Sequence, residues 1–353
     1  MPLRTAALKC PQAIFVDGHP ERYREHSKKV QAVLRQFTPI VEMASVDEGY
    51  LDMTGTERLH GAPLAAAHRL HEAVKAATGL NCSIGASRTR LVSKIASDQA
   101  KPNGVLWILP GHESDFLAPL PVGKIPGVGK VTQRSLHEIG IRRIGDLTRA
   151  GETLLRNRFG KWGEALAGKA LGLDAGGWFD AEVGAHEDAK SISHEHTFGE
   201  DTADVVKLES TLARLSEMVA ERLRRQGAHA RTVQLKLRFS DFTTLTRAKT
   251  LKPATSLDGV ISETARQLFR ANWRPGQTVR LLGVGLSGFE QAEGQLNLFT
   301  AQPNERWRKA WDAVDGLREK FGADSVSLAR GLKGKFRERT HEALPDVDAP
   351  DPE

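Results

Sequence analysis

The chain has 353 residues, of which 40% are hydrophobic, 27% charged and 6% aromatic, a composition typical of a globular protein with two or three domains. Its two cysteines exclude a disulfide scaffold and a cysteine-based zinc site. Because the sequence contains neither an apolar run of membrane-spanning length nor a signal peptide, we expect a cytoplasmic protein without a membrane partner. The net charge is +6, but residues 341–353 contain five acidic residues and no Lys or Arg, so residues 1–340 carry +11. This basic body predicts a polyanionic partner.

Residues 1–110 predict a mixed α and β region. Apolar residues at helical spacing predict helices over 20–37, 62–78 and 91–101. Between the first two helices, PIVEMASVDEGYLDM predicts a strand, a turn at Asp47-Glu48-Gly49 and a second strand. LNCSIGAS, at 80–87, predicts a further strand.

The remainder changes character twice. Residues 111–180 predict short helices broken by glycines, and WFDAEVGAHEDA (178–189) lacks periodicity and predicts a linker. Alternating patterns then predict an antiparallel sheet with strands at 191–198, 231–239, 243–251 and 279–289, and with helices at 205–225 and 257–270. After residue 290 follow a polar linker, the peptide QLNLF, a helix and the acidic tail.

The adjacent carboxylates Asp47 and Glu48 are the first candidate site. They lie at the tip of a predicted β-turn-β with no Lys or Arg beside them, so they repel each other unless a cation lies between them. Mg²⁺ prefers such oxygen ligands together with substrate phosphates. A solvated acidic turn is the alternative interpretation.

Lys94 and Lys101, in KIASDQAKPNG, are the second candidate. Lys101 ends a predicted helix just before Pro102-Asn103-Gly104, where a compact positive charge could contact a phosphate. A lysine that complements the dipole of the helix end is the equally simple alternative.

The sequence IPGVGK, residues 125–130, is the third. A turn with Gly127 and Gly129 that opens a helix at Lys130 exposes backbone N–H groups, and with a short preceding helix it predicts a helix-hairpin-helix that binds a DNA backbone. A plain helical hairpin is the alternative.

The fourth candidate is a basic sheet face. Residues 222–252 contain one acid, Asp241, and nine basic residues, of which we assign Arg231, Lys236, Arg238, Arg247 and Lys249 to DNA binding. A merely solubilising face is the alternative. His194 and His196 alternate on a predicted strand, and we interpret them as sheet-surface histidines and not as a metal site.

In order along the chain, these segments resemble the Y-family DNA polymerases of the DNA polymerase IV group. The matching stretches include SVDEGYLD, CSIGASRTRLVSKIASDQAKPNG, LPVGKIPGVGKVTQRSLHEIGIRRIGDL, TVQLKLRFSDFTTLTRAKTL and VRLLGVGLSGF, and the resemblance extends to about residue 335. It implies an α+β, multidomain polymerase fold. The expected domains are a partial palm at 1–110, with the end of the fingers at its start, a helix-hairpin-helix thumb at 111–180, a linker at 181–189, an α/β little finger at 190–290, and a clamp-binding peptide, helix and tail at 291–353.

The resemblance also implies site residues and partners. Asp47 and Glu48 would be two of the three palm carboxylates that bind two catalytic Mg²⁺ ions, and Lys101 would contact the incoming deoxynucleoside triphosphate. Primer-template DNA would be the substrate. QLNLF would dock on the sliding clamp through Gln295, Leu296, Leu298 and Phe299, although a chance apolar peptide is the alternative. We expect a monomer.

One departure qualifies the expected activity. The family's first palm strand, with the first metal-binding aspartate, has no counterpart here, and neither have the fingers residues that hold the triphosphate. MPLRTAALKCP resembles a stretch inside the family sequence. We therefore expect a truncated, weakly active or inactive translesion polymerase, with a non-catalytic DNA- and clamp-binding protein as the alternative. A helix-hairpin-helix nuclease would need a second carboxylate cluster, which the sequence does not suggest.

Overall fold

The structure, a computed structural model, describes residues 3–185, 189–291 and 310–326 without 312, 319, 323 and 324. The described chain forms two compact units. Unit 1 comprises the described residues up to 185, and unit 2 comprises those from 189 onward. The boundary between the two units along the chain lies within residues 178–189, the segment that lacks periodicity.

Unit 1 contains mostly helices and two small sheets. Its helices are α1 (Leu3–Lys9), α2 (Pro20–Leu34), α3 (Glu57–His60), α4 (Pro63–Thr78), α5 (Arg90–Gln99), α6 (Glu113–Leu117), α7 (Lys130–Glu138), α8 (Ile144–Ala150), α9 (Glu152–Phe159) and α10 (Lys161–Ala170), with 3-10 turns at Val122–Lys124 and Gly177–Asp180. The strands β1 (Val41–Met43) and β2 (Gly49–Leu51) are antiparallel, whereas β3 (Ile84–Ala86) and β4 (Val105–Trp107) are parallel. The helices predicted over 20–37, 62–78 and 91–101 are confirmed with shorter bounds.

Two differences from the sequence prediction concern short elements. The apolar run after Gly104 contains β4, which was not predicted, and β3 is shorter than the predicted strand. The segment after Gly177 is not wholly a linker, because its 3-10 turn buries Phe179 at 8% exposure. An aromatic pair without periodicity gave no signal for this packing.

Unit 2 is one four-stranded antiparallel sheet with two long helices packed on it. Its strands are β5 (Ser191–Thr202), β6 (Ala228–Phe239), β7 (Thr244–Thr255) and β8 (Val279–Gln291), in the order β5-β8-β6-β7, and the helices packed on the sheet are α11 (Val205–Arg225) and α12 (Asp258–Asn272). The described residues of 310–321 are also helical. Val233, Leu235 and Leu237 are fully buried, as their alternation on β6 predicts. These results confirm the α+β fold class.

The histidines of β5 need a correction. His194 shares its face of the strand with Ile192 and Phe198, which are buried, and burial lowers the pKa of the His194 imidazole. The ring of His196 contacts Phe198 edge-on, with centroids 4.9 Å apart. Both rings therefore lie on the helix-covered face, and our interpretation as sheet-surface histidines was wrong.

Gly85 allows helix α5 to lie directly on strand β3. A Cβ built on Gly85 would come within 2.1 Å of the Ser93 carbonyl oxygen and 2.3 Å of the Ser97 amide nitrogen. Both are backbone atoms, so a methyl group fits only if the whole helix moves. The contact matters for the candidate site because α5 carries Lys94 and leads directly to Lys101.

Among the described residues, no helix combines the length and the apolar character that crossing a bilayer requires.

We expect Gly85→Ala to lower the free energy of unfolding of unit 1 by about 1–3 kcal/mol or more, because the added methyl group overpacks a backbone contact. Urea denaturation followed by circular dichroism measures this change. Gly129→Ala is the matched control, since nothing lies within 4 Å of a Cβ there and its φ is −79°. Equal stability of the two variants would contradict the close packing of α5.

Candidate functional site

The hairpin between β1 and β2 presents the two candidate carboxylates. Its turn is closed by the Glu48 carbonyl, which accepts hydrogen bonds from the amides of Ala44 at 2.9 Å and Ser45 at 3.2 Å. The Ser45 hydroxyl donates to Asp47 Oδ1 at 2.5 Å, and this fixes the orientation of the Asp47 carboxylate. Asp47 is exposed and Glu48 is half-exposed, so both are accessible to a ligand.

Both carboxylates line a large open cavity of unit 1, with a volume of about 1740 Å³. Its walls come from α2, the hairpin, α4, β3, α5 and the segment that follows α10. Lys94 and Lys101 line the same cavity, one on α5 and the other just after it. The structure thus brings together Asp47, Glu48 and Lys101, which the sequence suggested separately.

Lys94 forms an ion pair with Glu48. The sequence shows no basic residue beside these carboxylates, but α5 supplies one from 46 positions away. The ammonium group neutralises part of the charge that two adjacent carboxylates would otherwise concentrate. The expectation that the pair lacks a basic neighbour was therefore wrong in three dimensions.

Lys101 is 65% exposed and bound to Asp98, with 2.9 Å between Nζ and Oδ1. This hydrogen bond raises the pKa of the Lys101 ammonium and lowers the pKa of the Asp98 carboxyl. The more distant carboxylates Glu48 and Asp47 raise the Lys101 pKa further. Lys101 is therefore a fully charged cation at neutral pH that faces the hairpin.

Arg90, at the start of α5, forms a buried ion pair with the β1–β2 hairpin. Its guanidinium is 5% exposed, donates to Glu42 Oε1 of β1 at 2.7 Å and to the Ala181 carbonyl at 2.8 Å, and lies 3.7 Å from the centroid of the Trp178 ring. Glu42 also accepts hydrogen bonds from Trp178 Nε1 at 2.9 Å and from the Gly184 amide at 3.0 Å. One buried ion pair therefore joins the hairpin, α5 and the segment 178–184.

Tyr50 connects this ion pair to the carboxylates. Its ring packs edge-on against Trp178 with centroids 5.0 Å apart, and Arg90 Cζ lies 5.1 Å from its centroid. Burial raises the pKa of the Tyr50 hydroxyl, and the charge of Glu48 raises it further. The tyrosine is therefore neutral, and its ring packs against Trp178 and Arg90 next to the turn.

The sequence did not predict a role for Glu42, Arg90, Tyr50 or Trp178. The available signal was a charged residue in each of two apolar segments, Glu42 in β1 and Arg90 at the start of α5. A charge that is buried requires a partner. The sequence alone does not show which charge pairs with which.

The donor set of the hairpin suits Mg²⁺. The ion is commonly held in proteins by one or two carboxylates together with substrate phosphates and water, and the Asp47 and Glu48 oxygens supply two such ligands. Within the described residues, no group of three or more His, Cys, Asp or Glu side chains is placed to hold a metal ion. The described site thus offers a pair of carboxylate ligands and no third.

The loop before α7 has the geometry expected of a backbone-binding hairpin. Ile125 and Val128 are buried at 1% and 7% exposure, whereas Gly127, Gly129 and Lys130 are exposed. Gly127 has a φ of +93°, and a Cβ there would lie 2.7 Å from the Trp162 ring. The apolar residues therefore anchor the turn while its glycines and Lys130 face outward.

Two of the predicted basic residues, Lys236 and Arg238, lie on the sheet face of unit 2 opposite the helices, which we call the outer face. Lys236 reaches over Gly283 of the central strand to Glu195 Oε1 at 2.7 Å. Arg238 Nε donates to Thr244 Oγ1 at 2.8 Å. The face is less positive than the sequence suggested, because Glu195 comes from a distant strand.

The structure does not bring Arg247 and Lys249 onto the outer face. They pair with Leu235 and Val233, whose side chains face the helices. Arg247 Nε donates to Asn272 Oδ1 at 3.1 Å and Lys249 Nζ to Gln267 Oε1 at 3.1 Å, both at α12. Arg231 lies at a bulge of β6 and forms an ion pair with Glu290 at 2.5 Å. The clamp-peptide residues Gln295, Leu296, Leu298 and Phe299 lie outside the described residues.

Sequence profiles of one family match three parts of the chain. The profile of the impB/mucB/samB family matches residues 1–98, that of the IMS family HHH motif matches 110–141, and that of the impB/mucB/samB family C-terminal domain matches 189–298. Together these profiles span well over half of the chain.

Full-length relatives of similar sequence carry one name. A DNA polymerase IV of Dehalococcoides mccartyi (strain CBDB1) is 41% identical over 95% of this chain and 84% of its own length. A DNA polymerase IV of Caulobacter vibrioides is 38% identical over 95% of this chain and 82% of its own length.

A solved structure of a Y-family DNA polymerase chimera of Dbh and Dpo4 shares the fold. It has a TM-score of 0.68 and 24% identity, and the match covers 82% of this chain and 83% of the chimera.

We expect Arg90→Met to lower the free energy of unfolding by about 3–5 kcal/mol, because it leaves Glu42 as a buried charge without its main partner. The double variant Arg90→Met/Glu42→Gln should recover part of this loss, since the unpaired charge is then gone. Urea denaturation measures all variants, and Arg88→Met, at an exposed position two residues away, is the control. A single variant as stable as this control would show that the ion pair does not hold the hairpin.

Proposed function

This chain belongs to the DNA polymerase IV group of the Y-family DNA polymerases, which are DNA-directed DNA polymerases that carry out translesion synthesis, and we propose that the Asp47–Glu48 hairpin is its catalytic centre. The observation that supports this proposal is the cavity in which the two carboxylates and the cations Lys94 and Lys101 lie together. A carboxylate pair facing cations is the arrangement that nucleotidyl transfer from a triphosphate requires.

Asp47 and Glu48 would hold Mg²⁺ in this site. When bound, a pair of such ions favours in-line attack of the primer 3′-hydroxyl on the α-phosphate and neutralises the leaving pyrophosphate. Ser45 contributes by fixing the Asp47 carboxylate in one orientation before any ligand arrives. This preorganisation matters because catalysis of phosphoryl transfer consists mainly of positioning and charge neutralisation.

Lys94 and Lys101 would neutralise negative charges in the site. Lys94 would balance the charge of Glu48, and its position on α5 places its ammonium in the cavity. Lys101 would bind the triphosphate of the incoming nucleotide, because it is charged, exposed and fixed near the hairpin by Asp98. A lysine acts as a compact point charge toward such a phosphate.

DNA would be held at two places, one in each unit. The exposed amides around Gly127 and Gly129, with Lys130, would bind backbone phosphates without reading sequence. Lys236 and Arg238 on the outer face would bind phosphates electrostatically. QLNLF would dock on the sliding clamp, a proposal supported by its sequence alone, and we expect the protein to act as a cytoplasmic monomer.

We propose that a polypeptide of these 353 residues has little or no catalytic activity. The described site supplies two carboxylates, and the family resemblance implies a third. Removing one preorganised charged group from such a site reduces the rate by orders of magnitude. The same observation also supports the alternative function, a non-catalytic DNA- and clamp-binding protein, because neither of the two proposed DNA-binding surfaces includes a residue of the hairpin.

We expect the 353-residue protein to show primer extension with Mg²⁺ at least about a hundredfold below that of a relative with three carboxylates, since no third metal-ligating carboxylate joins Asp47 and Glu48 among the residues that the structure describes. Gel electrophoresis of a labelled primer measures extension. Asp47→Ala should leave DNA affinity unchanged, which separates binding from catalysis. Robust extension that Asp47→Ala abolishes would contradict the proposed low activity and support a complete active site.

DNA binding should depend steeply on salt, and Arg238→Ala should reduce the slope of log K against log salt by about 1, because one phosphate contact is lost. Fluorescence anisotropy with a labelled primer-template at several salt concentrations measures the slope. Glu195→Gln should tighten binding, because Lys236 is then released from its ion pair. Arg247→Ala is the matched control on the other face of the sheet. A loss confined to Arg247→Ala would place DNA on the helix side instead.

A further inference from the structure

Phe242 occupies an unusual position at the tip of the β6–β7 hairpin. Its φ is +67°, in the left-handed region that glycine and asparagine adopt most readily, and the residue is 64% exposed. A non-glycine residue in this region is strained, and an exposed phenyl ring gains little from burial. Neither the backbone nor the core of unit 2 therefore explains a phenylalanine here.

The turn holds this ring in a fixed place. Asp241 accepts hydrogen bonds from the Thr243 amide at 2.8 Å and from the Thr243 hydroxyl at 2.9 Å. The Phe242 amide donates to the Phe239 carbonyl at 3.0 Å, and the Phe239 amide donates to the Thr243 carbonyl at 2.9 Å. A turn with this many hydrogen bonds presents the aromatic side chain from a rigid support.

One cationic side chain contacts the ring. Arg280 Cζ lies over it, 4.8 Å from the centroid, and Arg280 is itself held by Asp201 at 3.3 Å. Arg238 of the outer face is bound to Thr244, which begins β7 two residues after Phe242. The exposed aromatic ring therefore lies against one arginine, and a second arginine binds a residue of the same hairpin.

We propose that Phe242 is a stacking platform for an unpaired nucleobase of the bound DNA. The proposal rests on the proposed DNA binding of unit 2 and adds a contact that phosphate binding does not provide. An exposed aromatic ring with an arginine against it is chemistry that binds single-stranded nucleic acid. Inside a duplex the base faces are already stacked on one another, so away from the duplex ends only an unpaired base can offer its face to Phe242.

The variants Phe242→Gly and Phe242→Tyr test this contact. We expect Phe242→Gly to weaken binding to a primer-template with a single-stranded overhang by about five- to a hundredfold, the range for loss of one base–aromatic stack. Its salt slope should equal that of the wild-type protein, because stacking releases no counterions. Phe242→Tyr should bind like the wild type, since it keeps the aromatic ring.

Two further readouts make the test specific. The melting temperature of Phe242→Gly should equal or exceed that of the wild type, because glycine adopts the left-handed backbone without strain, so weaker binding cannot then be ascribed to unfolding. A 2-aminopurine base in the overhang should change its fluorescence on binding to the wild type and not on binding to Phe242→Gly. Binding to a blunt duplex should be equal for both proteins.

Unchanged affinity of Phe242→Gly for the overhang substrate would overturn the inference. So would an equal loss on the blunt duplex, since the contact would then not be with an unpaired base. These outcomes differ from failure of the proposed function, which would appear as wild-type protein that binds no DNA or binds it independently of salt.

Discussion

The site in unit 1 depends on the buried ion pair between Arg90 and Glu42. Arg90 begins the helix that carries Lys94, and Glu42 lies in the strand that leads into the turn with Asp47, so the pair fixes the distance between the cations and the carboxylates. A buried charge is tolerated only when it is paired, and here Trp178 and the carbonyl of Ala181 complete the set of partners. The hairpin can therefore present two repelling carboxylates without losing its shape.

Charge balance is the second organising feature of the molecule. In the cavity of unit 1, Lys94 neutralises Glu48 and Asp98 holds Lys101, so each cation has a partner that a ligand can replace or share. On the outer face of unit 2, Glu195 holds Lys236 in the same way. If a polyanion binds at these cations, as proposed, it must compete with these carboxylates, and its affinity should fall with salt because binding releases counterions.

Much of this architecture was predictable from local pattern, and the part that was not depends on distant contacts. Alternation on β6 correctly predicted the buried Val233, Leu235 and Leu237, and the turn at Asp47 was predicted from flanking apolar residues. Pairing between Lys94 and Glu48, however, joins elements that are far apart in sequence. Arg247 faces α12 because the register of β7 pairs it with Leu235, whose side chain also faces the helices. The residues of β7 alone do not show this register.

The role proposed for Asp47 and Glu48 is to hold a divalent cation together with a nucleotide. Mn²⁺ binding in the presence of a deoxynucleoside triphosphate can be measured by electron paramagnetic resonance, which reports the free ion without requiring turnover. We predict that the protein binds Mn²⁺ beyond what the nucleotide alone binds, that Asp47→Asn/Glu48→Gln abolishes this excess, and that the control Asp115→Asn, at an exposed position that does not line the cavity, keeps it. Excess binding that persists in the double variant would contradict the assignment of the hairpin as the metal and nucleotide site.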